Sequence, residues 1–241
     1  MEEALELEKV EASEETLVRF SVAHRIEHLA LMVSFIVLSV TGLAEKFFQA
    51  SWAAWTIALL GGIDGTRLIH RVFAAVFAAG AAYHFGFLVH YLAVKKKPAL
   101  MMPTLKDARD AISYLRYCIG LTDKQPEFGR YDYRQKFEYW GIIFGGLIML
   151  ISGAILLWPI AVTRFLPGGI VPAAKEFHSN EALLALLTII VWHFYSAHFR
   201  PGTFPGDVSI FTGKISRERM IEEHPIEYRE LAQEPQKEPN Q

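Results

Sequence analysis

The sequence predicts an all-α integral membrane protein with four transmembrane helices. Apolar residues make up 52% of its 241 residues, and the mean hydropathy is +0.22. Four stretches are long and apolar enough to cross a bilayer, which takes about 20 residues. They cover about residues 22–44, 68–94, 139–162 and 178–199. Because hydrocarbon offers the backbone no hydrogen-bond partners, each stretch should form a helix.

The segments around these spans are polar. Residues 1–18 contain seven glutamates and are predicted to be a polar cytoplasmic leader. This acidic start differs from that of a cleaved signal peptide, which begins with basic residues. Residues 19–200 are the predicted membrane domain, and residues 201–241 a polar cytoplasmic tail. After the first span, Trp52 and Trp55 predict a short interfacial helix at the outer face, since tryptophan concentrates at headgroup level.

The basic residues predict the orientation of the chain in the membrane. Ten Lys and Arg residues lie between Tyr91 and Phe137, whereas the two other loops between spans hold two each. The positive-inside rule therefore places the middle loop and both chain ends in the cytoplasm. An amphipathic stretch in this loop, from Leu105 to Ile119, is expected to lie on the membrane surface.

Histidine is the residue type that could hold a redox centre in this chain. Cys118 is the only cysteine, which excludes an intrachain disulfide, a CxxCH haem attachment and a cysteine-ligated iron–sulfur cluster. The chain has nine histidines. Ionisable residues inside membrane spans are energetically costly and by default indicate function.

Two spans carry histidines with matching spacing. His70 and His84 are 14 residues apart on the second span, which corresponds to about 21 Å of rise and about 40° of rotation. His178 and His193 are 15 apart on the fourth, about 22 Å and about 60°. Each helix therefore offers an outer and an inner histidine at similar depths. Two bis-histidine b-type haems in a four-transmembrane-helix haem-binding bundle are the simplest account.

A further histidine competes for the inner site. His28, on the first span, lies at a depth similar to that of His84 and His193. Since one iron takes two axial ligands, either His28 or His84 pairs with His193, unless a third haem is bound. The histidine left over would be structural or part of a quinone site.

Other polar residues lie near the membrane boundaries. Haem propionates need cations or donors, and Arg71 flanks the outer pair while Arg25 and Arg200 flank the inner one. Each arginine is equally explained as an ordinary snorkelling side chain. The remaining histidines are expected at the cytoplasmic boundary or, for the last, on the surface: His24, His90, His198 and His224.

Four motifs together resemble the di-haem cytochrome b membrane subunits typified by formate dehydrogenase gamma subunits, which are related to the cytochrome b subunits of nickel–iron hydrogenases. The motifs are RxxxxHRIEHxxLxxSFxxLSVTGL at residues 19–43, LIHR at 68–71, YDYRQKFEYW at 131–140 and WHFYSAHF at 192–199. The resemblance implies that His70 and His178 ligate the outer haem, and His28 and His193 the inner one. Helix-face geometry favours His84 over His28, so both stay candidates.

The resemblance also implies a menaquinone site beside the inner haem. Asp132 matches an asparagine that this family has just before the third span, and a carboxylate could exchange a proton with the quinone. Arg134 stands where the family tends to have glycine. Alternatively, Asp132 is a solvated loop carboxylate paired with Arg130 or Arg134.

The expected function is electron transfer across a prokaryotic inner membrane, between a periplasmic-side redox partner and the quinone pool. That partner would be a multihaem cytochrome c, or an iron–sulfur, molybdenum or hydrogenase module, and the chain would be the subunit with a quinone reductase or quinol oxidase site. No nucleic-acid partner is expected. The alternatives are a histidine-relay proton transporter, which would need Asp and Glu networks that we expect the spans to lack, and a structural anchor, which would not need ligand-spaced histidines.

Overall fold

The computed structural model describes residues 16–200 and 203–233, which are mostly helical. The helices are α1 (Val22–Lys46), α2 (Ser51–Leu59), α3 (Gly62–Val89), α4 (Leu105–Cys118), α5 (Tyr133–Leu157), α6 (Pro159–Val162), α7 (Ile170–Thr188), α8 (Ser209–Thr212), α9 (Arg217–Glu223) and α10 (Pro225–Gln233). Two short strands, β1 (Thr16–Val18) and β2 (Lys214–Ser216), pair antiparallel. The rest of the predicted leader lies outside the described residues.

Among the described residues, four helices are long and apolar enough to cross a membrane, which confirms the predicted fold class. They are Val22–Lys46, Gly62–Val94, Tyr133–Leu157 and Ile170–Phe199. The second and fourth end in π-helical turns, at His90–Val94 after α3 and at Ile189–His193 and Tyr195–Phe199 after α7. The chain is thus a multi-pass membrane protein.

The observed helices begin and end at local signals that the apolar runs do not show. Gly61 and Gly62 have φ of 86° and 82°, a left-handed conformation that glycine adopts freely, so α3 begins six residues before the predicted span. α5 ends at Leu157 and α6 restarts with Pro159, since proline is accommodated at the first position of a helix. α7 begins at Ile170, eight residues early, because polar residues in its first turns interrupt the apolar run.

The chain divides into two compact units. The bundle unit contains residues 23–97 and 141–207, and the polar unit contains the described parts of residues 1–22, 98–140 and 208–241. The bundle unit includes α2, whose Trp52 and Trp55 are exposed, as expected of an interfacial helix.

The polar unit joins three distant parts of the sequence. β1 pairs with β2 in a register that matches Leu17 with Ile215. Arg19, only 3% exposed, donates hydrogen bonds to the carboxylate of Glu227 and to the carbonyl of Arg130. The described part of the tail is therefore folded into helices and a strand.

The sequence prediction for His224 was wrong, because this residue is 5% exposed instead of lying on the surface. Its Nδ1 is 2.8 Å from the carbonyl oxygen of Gly129, and its Nε2 is 3.1 Å from the guanidinium of Arg19. Burial, and secondarily the charge of Arg19, lower the pKa of His224. The ring is therefore neutral, with Nδ1 donating to the carbonyl and Nε2 accepting from Arg19.

Candidate functional site

Two of the candidate histidines face each other between α3 and α7. The ring centres of His70 and His178 are 6.3 Å apart, and the ring planes are inclined by 66°. These are the two histidines that were predicted at the outer depth. Neither comes from a loop, so two long helices fix the position of the pair.

A hydroxyl group from a neighbouring helix contacts each of these rings. Thr41 Oγ1 of α1 is 2.8 Å from His70 Nδ1, and Ser152 Oγ of α5 is 2.9 Å from His178 Nδ1. Both side chains are buried, with exposed fractions of 1% and 5%. The two contacts therefore repeat the same arrangement on opposite sides of the histidine pair.

The hydroxyl partners determine which ring nitrogen carries the proton. Thr41 Oγ1 also donates to the carbonyl of Val37, 2.7 Å away, and Ser152 Oγ donates to that of Ile148, 2.6 Å away. Since each hydroxyl hydrogen is used in this way, each oxygen accepts from Nδ1–H of its histidine. Both rings then keep the Nε2 lone pair for a metal. A hydrogen bond at the second nitrogen is the usual way to orient a ligating histidine.

A glycine follows each hydroxyl residue and leaves room for the ring. A Cβ built on Gly42 would lie 3.3 Å from Cε1 of His70, and one on Gly153 would lie 3.3 Å from Cε1 of His178. A side chain at either position would press against the imidazole. We call each pair, Thr41–Gly42 and Ser152–Gly153, a hydroxyl–glycine seat.

A second histidine pair lies between α1 and the π-helical end of the fourth span. The ring centres of His28 and His193 are also 6.3 Å apart, and the ring planes are inclined by 35°. His193 is the last residue of the π-helical turn Ile189–His193. Because a π-helix takes more residues per turn than an α-helix, this turn reduces the rotation between His178 and His193 that a regular helix would give.

The spacing of both pairs fits two histidine ligands on one metal. A bond of about 2.0–2.1 Å from a metal such as zinc to an imidazole nitrogen, plus about 1.1 Å from that nitrogen to the ring centre, separates two opposed rings by about 6.2–6.4 Å. The observed separations are 6.3 Å in both pairs. Histidine is also the donor type that holds haem iron. The residues present therefore fit a bis-histidine haem at each pair.

His84 has a different neighbour. Its Nδ1 is 3.7 Å from Oε2 of Glu27, on α1. Glu27 lies inside the first predicted span and Glu181 inside the fourth, so these spans do contain single carboxylates. Glu181 lies against α5, where a Cβ on Gly145 would be 2.6 Å from Oε1.

The predicted arginines differ in their surroundings. Arg25 is half-buried and Arg71 is exposed. Arg200 donates to Thr203 Oγ1 at 3.2–3.3 Å, which ties the end of the fourth span to the loop after it. In the same region, a Cβ on Gly206 would lie 2.6 Å from Nδ1 of His198.

Asp132 immediately precedes α5 and caps its first turn rather than facing solvent. It is 7% exposed, and its Oδ1 accepts from the backbone N–H groups of Arg134 and Gln135, both at 2.9 Å. The side chain of Gln135 accepts in turn from the backbone N–H of Asp132, which completes a capping box. Oδ2 forms an ion pair with the guanidinium of Arg134. Both carboxylate oxygens of Asp132 therefore take part in structural contacts, one with the helix start and one with Arg134.

Thr41 and Ser152 are the site residues that sequence reasoning missed. A hydroxyl followed by glycine occurs in the C-terminal half of both the first and the third span. Each such pair lies one membrane span before the histidine that it contacts. That repetition is a sequence signal, although a hydroxyl inside a helix more often only hydrogen-bonds to its own backbone.

Comparison with known proteins identifies a family that covers most of the chain. The model of the family described as prokaryotic cytochrome b561 matches residues 19–205, which include both histidine pairs and both seats.

Three relatives match along nearly the whole chain. The cytochrome b556(Fdn) subunit of the nitrate-inducible formate dehydrogenase of Escherichia coli is 22% identical over 215 residues, covering 89% of this chain and 91% of that protein. The cytochrome b556(fdo) subunit of the same organism is 25% identical over 218 residues, covering 90% and 94%. The formate dehydrogenase cytochrome b556 subunit of Haemophilus influenzae is 27% identical over 225 residues, covering 93% and 87%.

Proposed function

Because the chain belongs to the prokaryotic cytochrome b561 family, we propose that it carries electrons across the membrane through two b-type haems. The electrons pass between a redox partner at the periplasmic face and a quinone near the cytoplasmic face. The observation that carries this proposal is the presence of two facing histidine pairs, each with ring centres 6.3 Å apart.

His70 and His178 are the proposed ligands of the outer haem. Their Nδ1 atoms are held by Thr41 and Ser152, so Nε2 of each ring is available without a change of tautomer. The haem supplies one-electron chemistry, and the chain supplies the ligands and a largely apolar surrounding that excludes water.

His28 and His193 are the proposed ligands of the inner haem. Their ring separation supports this choice between the two candidates for pairing with His193, and His84 instead lies beside Glu27. We therefore assign His84 a supporting position next to the inner pair. Arg25 and Arg200 remain the proposed partners of the inner propionates, and Arg71 of the outer ones.

The proposed orientation follows from the basic middle loop, which the positive-inside rule places in the cytoplasm. Both chain ends would then be cytoplasmic, and the membrane would be the prokaryotic inner membrane. The outer pair is then nearest the periplasm. The relatives are named as cytochrome subunits of formate dehydrogenases, so a metal-containing dehydrogenase module is the type of partner proposed at that face.

Quinone is the proposed partner at the cytoplasmic side. The bonds of Asp132 to the start of α5 and to Arg134 support a structural role for this carboxylate. Proton exchange with quinone would require that ion pair to open. Replacement by asparagine keeps an oxygen that can cap the helix, so activity that persists in this variant would assign the proton exchange elsewhere.

The first experiment is a reduced-minus-oxidised absorption spectrum of the purified protein, with a pyridine haemochrome measurement of haem per chain. The proposal predicts a b-type α band and two haems. Three haems would require ligands beyond the two pairs, with His84 as the first candidate. No haem would refute the proposal and favour proton transport or a structural anchor.

Two single variants separate the candidates for the inner ligand. His28→Ala should lose one haem and keep the outer one, whereas His84→Ala should keep two. The opposite result would assign the inner site to His84 and His193.

A further inference from the structure

Helix α4 presents an apolar stripe to its surroundings. Leu105, Ile112, Leu115 and Ile119 fall within about 80° of one another around the helix and its last turn. Their exposed fractions are between 60% and 78%. Exposed apolar area on one continuous face marks a surface that binds a partner or a membrane.

The opposite face of α4 is fixed within the polar unit. Asp107 accepts two hydrogen bonds of 2.9 Å from Lys136 Nζ, and a capping box with Thr104 fixes the first turn. Tyr114 lies near Tyr133, with ring centres 6.5 Å apart, and under the guanidinium of Arg134, 5.1 Å from the ring centre. The helix therefore cannot rotate to bury its apolar stripe without breaking these contacts.

The same contacts hold α4 at the beginning of a membrane-crossing helix. Lys136 lies in the first turn of α5, and Trp140, one turn later, donates its indole N–H to the carbonyl of Met101 at 2.8 Å. Lysine and tryptophan near the end of a span lie at the level of the lipid headgroups. The segment from Met101 to Asp107 is thus attached to the part of α5 that enters the bilayer.

The charges beside the stripe suit a lipid surface. Arg109 and Arg116 lie about 20–40° from Leu105 around the helix, and both are exposed. The acidic residues of α4 lie on the other side, where Asp107 binds Lys136 and Asp110 binds Lys106. An apolar stripe bordered by arginines matches a leaflet that has acyl chains below and phosphate groups above.

We propose that α4 lies in the plane of the membrane and binds anionic phospholipids. The stripe enters the acyl region, and Arg109 and Arg116 contact lipid phosphates. This site is independent of the proposed haem ligands, because it uses residues of the polar unit alone.

The test is a fluorescent reporter on the full-length protein in lipid nanodiscs. In a Cys118→Ser background, which has no other cysteine, an NBD label is placed at Ile112→Cys on the stripe. The control label is placed at Lys106→Cys, which lies about 120° away around the helix. The stripe label should have a blue-shifted emission and be quenched by lipids with brominated acyl chains, and the control label should do neither. Similar, water-like emission from both labels would overturn the proposal.

The lipid preference is tested by the charge of the brominated lipid. At equal mole fraction, brominated phosphatidylglycerol should quench the stripe label more than brominated phosphatidylcholine. Arg109→Gln and Arg116→Gln should each lower this preference, by about fivefold at most, whereas Lys106→Gln should leave it unchanged. Continued quenching by phosphatidylcholine would show that α4 remains folded. A stripe label that is shielded from water but not quenched would instead indicate a protein partner or a second copy, and would overturn the proposal.

Discussion

Replacing Thr41 by valine tests whether the hydroxyl–glycine seat holds the proposed ligand of the outer haem. Valine has nearly the volume of threonine, so the buried position keeps its packing. What is lost is the oxygen 2.8 Å from His70 Nδ1. The bond from this hydroxyl to the carbonyl of Val37 also disappears, but that carbonyl belongs to a regular helix.

The expected loss of haem affinity follows from the Nδ1–H group of His70, which valine leaves without a partner. A buried donor without a partner costs about 1–3 kcal/mol, and loss of a second-shell partner typically lowers metal affinity about 10–100-fold, which corresponds to about 1.4–2.8 kcal/mol. The two ranges agree. Because the lost bond also made the imidazole a stronger electron donor, the reduction potential of the outer haem should rise.

The assay is haem content after detergent washing, followed by a spectroscopic redox titration of both haems. Thr41→Ser is the matched control, because it keeps the hydroxyl and removes only a methyl group. The serine variant should retain both haems, and the potential of the inner haem should be the same in all three proteins. An outer haem with full occupancy and an unchanged potential in the valine variant would refute the role of Thr41.

Three further predictions concern the other described contacts. Ser152→Ala should weaken the outer haem to a similar degree as Thr41→Val, and haem titration should show the combined variants losing it altogether. Gly153→Ala should displace His178, since the added Cβ would be 3.3 Å from its Cε1, and should broaden or shift the outer-haem spectrum; an unchanged spectrum would mean that the ring has room to move. Because burial lowers the pKa of His224, its neutral form stabilises the polar unit above about pH 6.5, and this contribution is lost as the pH falls toward the lowered value. The protection factors of the amides in β1 and β2, which correct for the intrinsic pH dependence of hydrogen exchange, should therefore fall on acidification, and those of His224→Gln should depend less on pH.

The sequence predicted the spans, and it offered histidines as candidate ligands, because both depend on local patterns. A run of apolar residues is visible without a structure, and histidines 14 or 15 residues apart lie on similar faces of a helix. The choice between His28 and His84 was not predictable in the same way, since it depends on how three helices are rotated about their axes. The π-helical turn before His193 changes that rotation further, and it has no clear signature in composition.

The polar unit shows the other limit of the sequence reasoning. Arg19 and His224 are 205 positions apart. No local sequence pattern around either residue predicts that the two are in contact. A histidine in a segment rich in charge and proline was therefore expected on the surface. Its burial depends on Arg19 and Gly129, which reach it from two other parts of the chain.

The hydroxyl–glycine seats have a consequence for how the protein is made. Each seat and its histidine belong to consecutive membrane-crossing helices. In the first helical hairpin Thr41 contacts His70, and in the second Ser152 contacts His178. The proposed outer haem site therefore consists of two hairpins, each with its own hydroxyl–histidine contact. In each hairpin the hydroxyl sets the tautomer of the histidine without the cofactor. Under the proposed function, haem binding would then be a separate step after both hairpins have folded, because Nε2 of each histidine is already available.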